Sequence, residues 1–251
     1  MDNKLSIKSE EVKIMLEIIN YSKKYENGKL AVDDISLTVE KGDLFAFIGH
    51  NGAGKSTTIK SVVGILPFEK GEIKINGISV KDNPVECKKM IAYIPDNPDL
   101  YESLTGIDYL NFISDVFEVS IEKRRTIIDK YATLFGIKDS LNNYIGSYSH
   151  GMKQKLAIIS ALVHEPKLLI LDEPFVGLDP IASHAVKEVM KEFCSNGGAI
   201  FFSTHVLEVA EKLCNKIAII KQGKLVVSGN MEEITKNSSL EDVFLELSNH
   251  A

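Results

Sequence analysis

Leu44-Phe45-Ala46-Phe47-Ile48-Gly49-His50-Asn51-Gly52-Ala53-Gly54-Lys55-Ser56 runs a short apolar segment into a glycine-rich loop that closes on a lysine and a hydroxyl. Gly49 to Ser56 matches GxxxxGK[ST], and the flanks supply the context that pattern needs: a strand over Leu44–Ile48 before it, and a helix expected over Lys55–Leu66 after it. The glycines let the backbone fold tightly enough for successive N–H groups to face phosphate oxygens, and the helix N-terminus adds a favourable dipole. Gly49, His50, Asn51, Gly52, Ala53 and Gly54 are therefore the expected phosphate cradle. Lys55 suits the β and γ phosphates, Ser56 suits the shell of a Mg2+ ion, and Thr57 completes the group at the helix start. An unliganded glycine-rich turn would leave the Lys-Ser pair unexplained.

A second segment complements the first. Leu168-Leu169-Ile170-Leu171-Asp172-Glu173 is an apolar strand that ends in two carboxylates, which would arrive at the carboxyl edge of a parallel sheet, where open α/β folds bind ligands. Asp172 suits the Mg2+ shell, and Glu173 is placed to polarise the water that attacks a γ-phosphate. Seen alone, an acidic pair after a strand reads as a solvated turn; the phosphate loop upstream reverses that reading.

Between and around these segments the pattern is α/β. Short apolar runs over Met15–Asn20, Leu30–Glu40 and Leu44–Ile48, broken by Glu26-Asn27-Gly28 and Lys41-Gly42, read as strands; Gly71–Val80, with Asn76-Gly77 at its centre, reads as a hairpin. From Ser103 to Ile137 the spacing becomes helical, through Leu104, Ile107, Leu110 and Val116 and then Ile127, Ile128, Tyr131 and Leu134. A helix over Met152–Val163 follows, then strands at Lys167–Leu171, Ala199–Ser203 and Ile217–Ile220, with a helix over Ala182–Cys194. No repeat recurs, and the phosphate-loop motif occurs once.

The 251 residues are 44% hydrophobic and 25% charged, an ordinary globular composition. A formal net charge of −6 argues against a general nucleic-acid binder, which needs basic surface to displace counterions from phosphates. The 3 cysteines, Cys87, Cys194 and Cys214, form no CxxC pair and fit reduced thiols of the cytosol. Met1–Glu11 alternates charges and reads as a flexible N-terminus without an apolar leader. No run approaches the roughly 18 apolar residues that cross a bilayer, so any membrane role is expected through a partner.

Tyr148-Ser149-His150-Gly151-Met152-Lys153-Gln154-Lys155, upstream of the acidic strand, resembles the signature motif of ABC ATPases, which separates that family from other phosphate-loop proteins. Gly177-Leu178-Asp179-Pro180 resembles its D-loop, and Ser203-Thr204-His205 its switch-histidine loop, in the family's order and spacing. The resemblance covers nearly the whole chain. It implies a P-loop NTPase core of the ABC ATPase type with an N-terminal antiparallel β subdomain and an inserted helical subdomain at about 97–149, in one domain over 12–251. It also implies ATP and Mg2+ as cofactors, with Tyr25 stacking on adenine, His205 on the γ-phosphate, and Ser149, Gly151 and Asp179 at a head-to-tail dimer interface where the signature contacts the other subunit's nucleotide. Ser149 has the chemistry for a helix N-cap as well.

Three positions depart from the family pattern: His150 where glycine is usual, Met152 where glutamine is usual, and Asp96, in Ile94-Pro95-Asp96, where the loop entering the helical insert usually presents glutamine. A carboxylate at Asp96 can ligate Mg2+ but repels a developing hydroxide. By resemblance the partners are a transmembrane permease subunit and a second ATP-binding subunit, identical or related, with the chain peripheral on the cytoplasmic face of the membrane. The signature segment and the tail Leu240–Leu247 look like ATP-binding subunits of ABC-2-type exporters, although the tail is also a plain amphipathic helix that would pack on the core or on the dimer partner. The alternative within the family is a soluble ATPase of the iron-sulfur assembly type, which acts on a scaffold rather than a permease.

Overall fold

The structure is a computed structural model that describes residues 13–249; the expected flexible segment Met1–Glu11 lies outside them. In chain order its first half contains β1 (Ile14–Lys24), β2 (Leu30–Glu40), β3 (Leu44–Ile48), α1 (Lys55–Val62), β4 (Lys70–Ile75), β5 (Ile78–Ser79), α2 (Pro84–Met90), β6 (Ile91–Ile94), α3 (Gly106–Val116) and α4 (Ile121–Leu134). The second half contains α5 (His150–Leu162), β7 (Leu168–Asp172), α6 (Pro180–Ser195), β8 (Ala199–Thr204), α7 (Leu207–Leu213), β9 (Lys216–Lys221), β10 (Lys224–Asn230), α8 (Met231–Ile234) and α9 (Leu240–Asn249).

Two sheets form. The antiparallel one has the order β2-β1-β4-β5, and Asn76-Gly77 turns β4 into β5 with φ of 50° and 81°, the positive values that a two-residue hairpin turn of the right twist demands. The other has the order β10-β9-β3-β8-β7-β6, in which β3, β6, β7, β8 and β9 are mutually parallel and β10 is an antiparallel edge. Strands covered on both faces should be apolar without alternation, and β3 and β7 are buried at every residue. Successive β3 residues serve different cores: Leu44, Ala46 and Ile48 face the cluster built with α5 and α6, while Phe45 and Phe47 pack with Ile59 and Val62 of α1 and with the antiparallel sheet.

The sheet order positions the site. Because β3, β6, β7 and β8 are parallel, their carboxyl ends lie on one edge, and the residues that follow them meet there: Gly49 after β3, Asp96 beyond β6, Glu173 after β7 and His205 after β8. β8 lies between the strand that feeds the phosphate loop and the strand that carries the acidic pair.

The helical segment is built on α3 and α4, capped by the hydroxyls of Thr105 and Ser120, which accept the Asp108 and Lys123 N–H groups. Arg124, at the start of α4, donates to the Asn111 and Val119 carbonyls and pairs with Asp115, so one guanidinium fastens the end of α3 to the start of α4. Leu110 of α3 and Ile128 and Ala132 of α4 are these helices' residues in the core. The tail helix α9 packs on the same chain, with Leu240 fully buried and Val243, Phe244 and Leu247 against the core, and with its Leu240 N–H donating to Glu211. Among the described residues no helix is long and apolar enough to cross a membrane.

Candidate functional site

A cleft of about 430 Å³ opens at the carboxyl edge of the parallel sheet, lined by Tyr25 and Lys29 from the turn between β1 and β2, by Ala31 of β2, by Asn51, Gly52 and Gly54–Thr57 from the loop and α1, and by Asp96, Asp172 and Glu173. The loop can take its shape only with glycine at two points. A Cβ on Gly49 would come 2.5 Å from the Ile220 carbonyl oxygen, and one on Gly54, whose φ is +114°, would come 2.7 Å from that of Ala31. The start of α1 has no side-chain cap and no acidic residue in its first turn, so its leading N–H groups remain available to an anion.

Lys55 is nearly buried and its Nζ donates to the carbonyls of Gly49, at 2.6 Å, and His50, at 3.2 Å. Burial lowers its pKa, and the facing charges of Glu173 and Asp172 pull it back up. The ammonium therefore stands between the loop and the acidic pair. Gly49, His50 and Ala53 do not line the cleft themselves: Ala53 is buried, and the His50 ring packs on Phe244 of α9 with centroids 4.8 Å apart. Tyr25 presents its ring at the cleft rim, 37% exposed, with its hydroxyl 3.1 Å from that of Thr57.

On the acidic side the two carboxylates differ. Asp172 is buried and accepts from the Ser203 hydroxyl. Glu173 stands one residue past β7 with φ of +51°, a left-handed conformation that side chains with a Cβ rarely adopt and that persists where surroundings impose it. Its N–H is held by both the carbonyl and the hydroxyl of Ser203, each at 3.2 Å, and its Oε1 lies 2.9 Å from His205 Nδ1. Tyr93, on β6, lies near this charge: burial first, then Asp172 and Asp96, push its hydroxyl up to about 12. Asp96 is exposed at the cleft. Ser56, Asp172 and Asp96 offer hard oxygen donors, the chemistry a phosphate-bound divalent cation takes.

Ser149, Gly151 and Asp179 line a different surface. Ser149 caps α5 by accepting the Met152 N–H at 3.3 Å, and Asp179 caps α6 by accepting that of Ala182 at 2.8 Å, the bond that chiefly holds its carboxyl below the usual range. The two segments touch: a Cβ on Gly177 would come 2.1 Å from His150 Cδ2, and Lys155 Nζ stands 3.5 Å from Asp179. His150, the departure from glycine, thus fills the space over Gly177.

Lys29 and Ala31 were not singled out by the sequence, and Ser203 was read only as the first residue of the Ser203-Thr204-His205 segment, with no role at the acidic pair. Lys29 follows the Tyr25 turn closed by the Tyr25 N–H to Lys29 carbonyl bond, which the turn residues Asn27-Gly28 signal; nothing local shows that the Ser203 hydroxyl meets the acidic pair. A larger cavity of about 580 Å³ lies between α3 and α4, lined by Ile107, Ile128, Leu141, Arg124 and Arg125 among others, but it has neither a glycine loop nor a pair of adjacent carboxylates.

Residues 32–176 match the family described as ABC transporter. The chain is 36% identical over 219 residues to the ABC-type transporter ATP-binding protein EcsA of Bacillus subtilis, covering 85% of this chain and 89% of that one. It is 32% identical over 220 residues to the linearmycin resistance ATP-binding protein LnrL of the same organism, covering 88% and 70%. A solved ATP-binding subunit of an ABC transporter superposes with a TM-score of 0.90 at 35% identity, over 94% of this chain and 100% of that one.

Proposed function

The chain belongs to the ABC transporter ATP-binding proteins, and from that premise we propose that it hydrolyses Mg2+-bound ATP to drive a transmembrane exporter subunit. ABC ATP-binding proteins are ATPases that work with transmembrane permeases. The observation that carries the reading is the single cleft in which a glycine-built phosphate loop with Lys55 faces Asp172 and Glu173 across the edge of one sheet.

In this reading the loop N–H groups and Lys55 bind the β and γ phosphates, and Ser56 and Asp172, with Asp96 nearby, hold the cation that balances their charge. Glu173 accepts a proton from the attacking water and His205, whose Nδ1 lies 2.9 Å from Glu173 Oε1, steadies that carboxylate and reaches the γ-phosphate. Ser149, Gly151 and Asp179 face a second ATP-binding subunit, because in one chain they stand outside the cleft. Export is supported by the likeness to a resistance protein, LnrL. The chain then works on the cytoplasmic face of the membrane, held there by the permease.

Affinity purification of the tagged chain from detergent-solubilised cells of its source, with mass spectrometry of what accompanies it, tests the partner. A multi-span membrane protein in stoichiometric yield is expected; soluble partners alone would replace the permease by a scaffold. Tyr25 tests the nucleotide pose separately. Stacking on a base is worth about 1–3 kcal/mol, so Tyr25→Ala should weaken ATP affinity about 5- to 150-fold while Tyr25→Phe preserves it. Equal affinities in a fluorescent-nucleotide titration would move the base elsewhere.

A further inference from the structure

We propose that Ser203 is a positioning residue for hydrolysis, one hydroxyl that orients the metal-binding carboxylate Asp172 and the base Glu173 together. The proposal rests on the roles given to those two residues above. Ser203 lies on β8, the strand between the phosphate-loop strand and the acidic strand, and the parallel register sets it directly opposite Asp172.

The preceding residues of β8, Ala199, Ile200, Phe201 and Phe202, are all apolar and buried, and Ser203 follows them with no exposed surface. A buried hydroxyl there costs stability unless it is bonded. Its bonds go to the acidic pair: Ser203 Oγ donates its proton to Asp172 Oδ1 and accepts the Glu173 N–H at 3.2 Å. The first bond fixes one carboxylate oxygen of Asp172 and leaves the other to a cation. The second helps to hold Glu173 at φ of +51°, where its side chain meets His205. An alanine or valine at this position would lose both hydroxyl bonds.

The consequence separates metal from nucleotide. Affinity for nucleotide without a cation depends on the loop, Lys55 and Tyr25, none of which touches Ser203 through a hydrogen bond, whereas the gain that Mg2+ adds depends on Asp172. Threonine and valine are nearly the same shape and differ by the hydroxyl, so any packing cost of a larger residue at this site is common to both.

The test is a titration of the full chain with a fluorescent, non-hydrolysable ATP analogue in excess EDTA and then over a Mg2+ series, for the parent, Ser203→Thr and Ser203→Val. Groups that orient a metal ligand typically contribute 10- to 100-fold, so Ser203→Val should need about tenfold more Mg2+ for half the gain in affinity, with Ser203→Thr near the parent. All three should bind alike in EDTA. Equal Mg2+ dependence in the threonine and valine variants would overturn the proposal, whether or not both differ from the parent. A parent whose affinity does not respond to Mg2+ at all would overturn the cation site itself, and Ser203's role with it.

Discussion

Glu173→Gln should bind ATP like the parent and hydrolyse it about 10²- to 10⁴-fold more slowly, the range that a positioned general base contributes. The amide has the size of the carboxylate and keeps a hydrogen-bonding oxygen for His205 Nδ1, which lies 2.9 Å from Glu173 Oε1. It cannot accept a proton from water. The left-handed backbone at this residue is no harder for glutamine than for glutamate, and the N–H bonds to Ser203 do not involve the side chain. The lesion is therefore confined to the proton transfer. A subunit that closes on ATP and cannot turn it over should accumulate as a dimer in ATP, visible by size-exclusion chromatography alongside a phosphate-release assay. Hydrolysis at the parent rate would remove Glu173 from the mechanism.

How much of this was legible beforehand depended on whether a feature was local. The phosphate loop is contiguous, with every residue of its pattern within one run of eight, so Gly49–Ser56 could be read directly. The caps Ser149 and Asp179 were equally local, and each accepts its helix N–H. The extent of α1 was not. The helix was expected over Lys55–Leu66, but α1 stops at Val62, where Gly64 turns left-handed at φ of +71° and the Ile65 and Leu66 N–H groups both return to the Lys60 carbonyl.

Short elements escaped for a related reason. α2 buries only Cys87 and Met90, too few residues to show a period, and β6 follows it at once with four residues that look like the tail of a loop. The tail Leu240–Leu247 left two readings open, an interface or a packed helix; its apolar face covers the core of its own chain. The contact of the Ser203 hydroxyl with the acidic pair was hidden most completely, because those partners lie 30 and 31 residues earlier and meet it only through the register of two parallel strands. The meeting of His150 with Gly177 is tertiary in the same way.

Lys55→Ala is the counterpart of Glu173→Gln and should fail at the earlier step. The Lys55 ammonium is almost entirely shielded from water, and its hydrogen bonds run to the Gly49 and His50 carbonyls of the loop itself. Burial lowers its pKa and the charges of Glu173 and Asp172 offset only part of that, so an anionic phosphate beside it would favour the ammonium form further. Hydrogen bonds to charged groups are worth about 1.5–3 kcal/mol, and alanine should weaken ATP affinity about 10- to 150-fold. Alanine suits the first turn of α1, so the thermal melt should stay close to the parent's while the fluorescent-nucleotide titration shifts. The pair of variants then divides the site between its two walls. Loss of affinity in Lys55→Ala with turnover lost but affinity kept in Glu173→Gln assigns binding to the loop and chemistry to the acidic strand; unchanged affinity in Lys55→Ala would falsify the phosphate cradle.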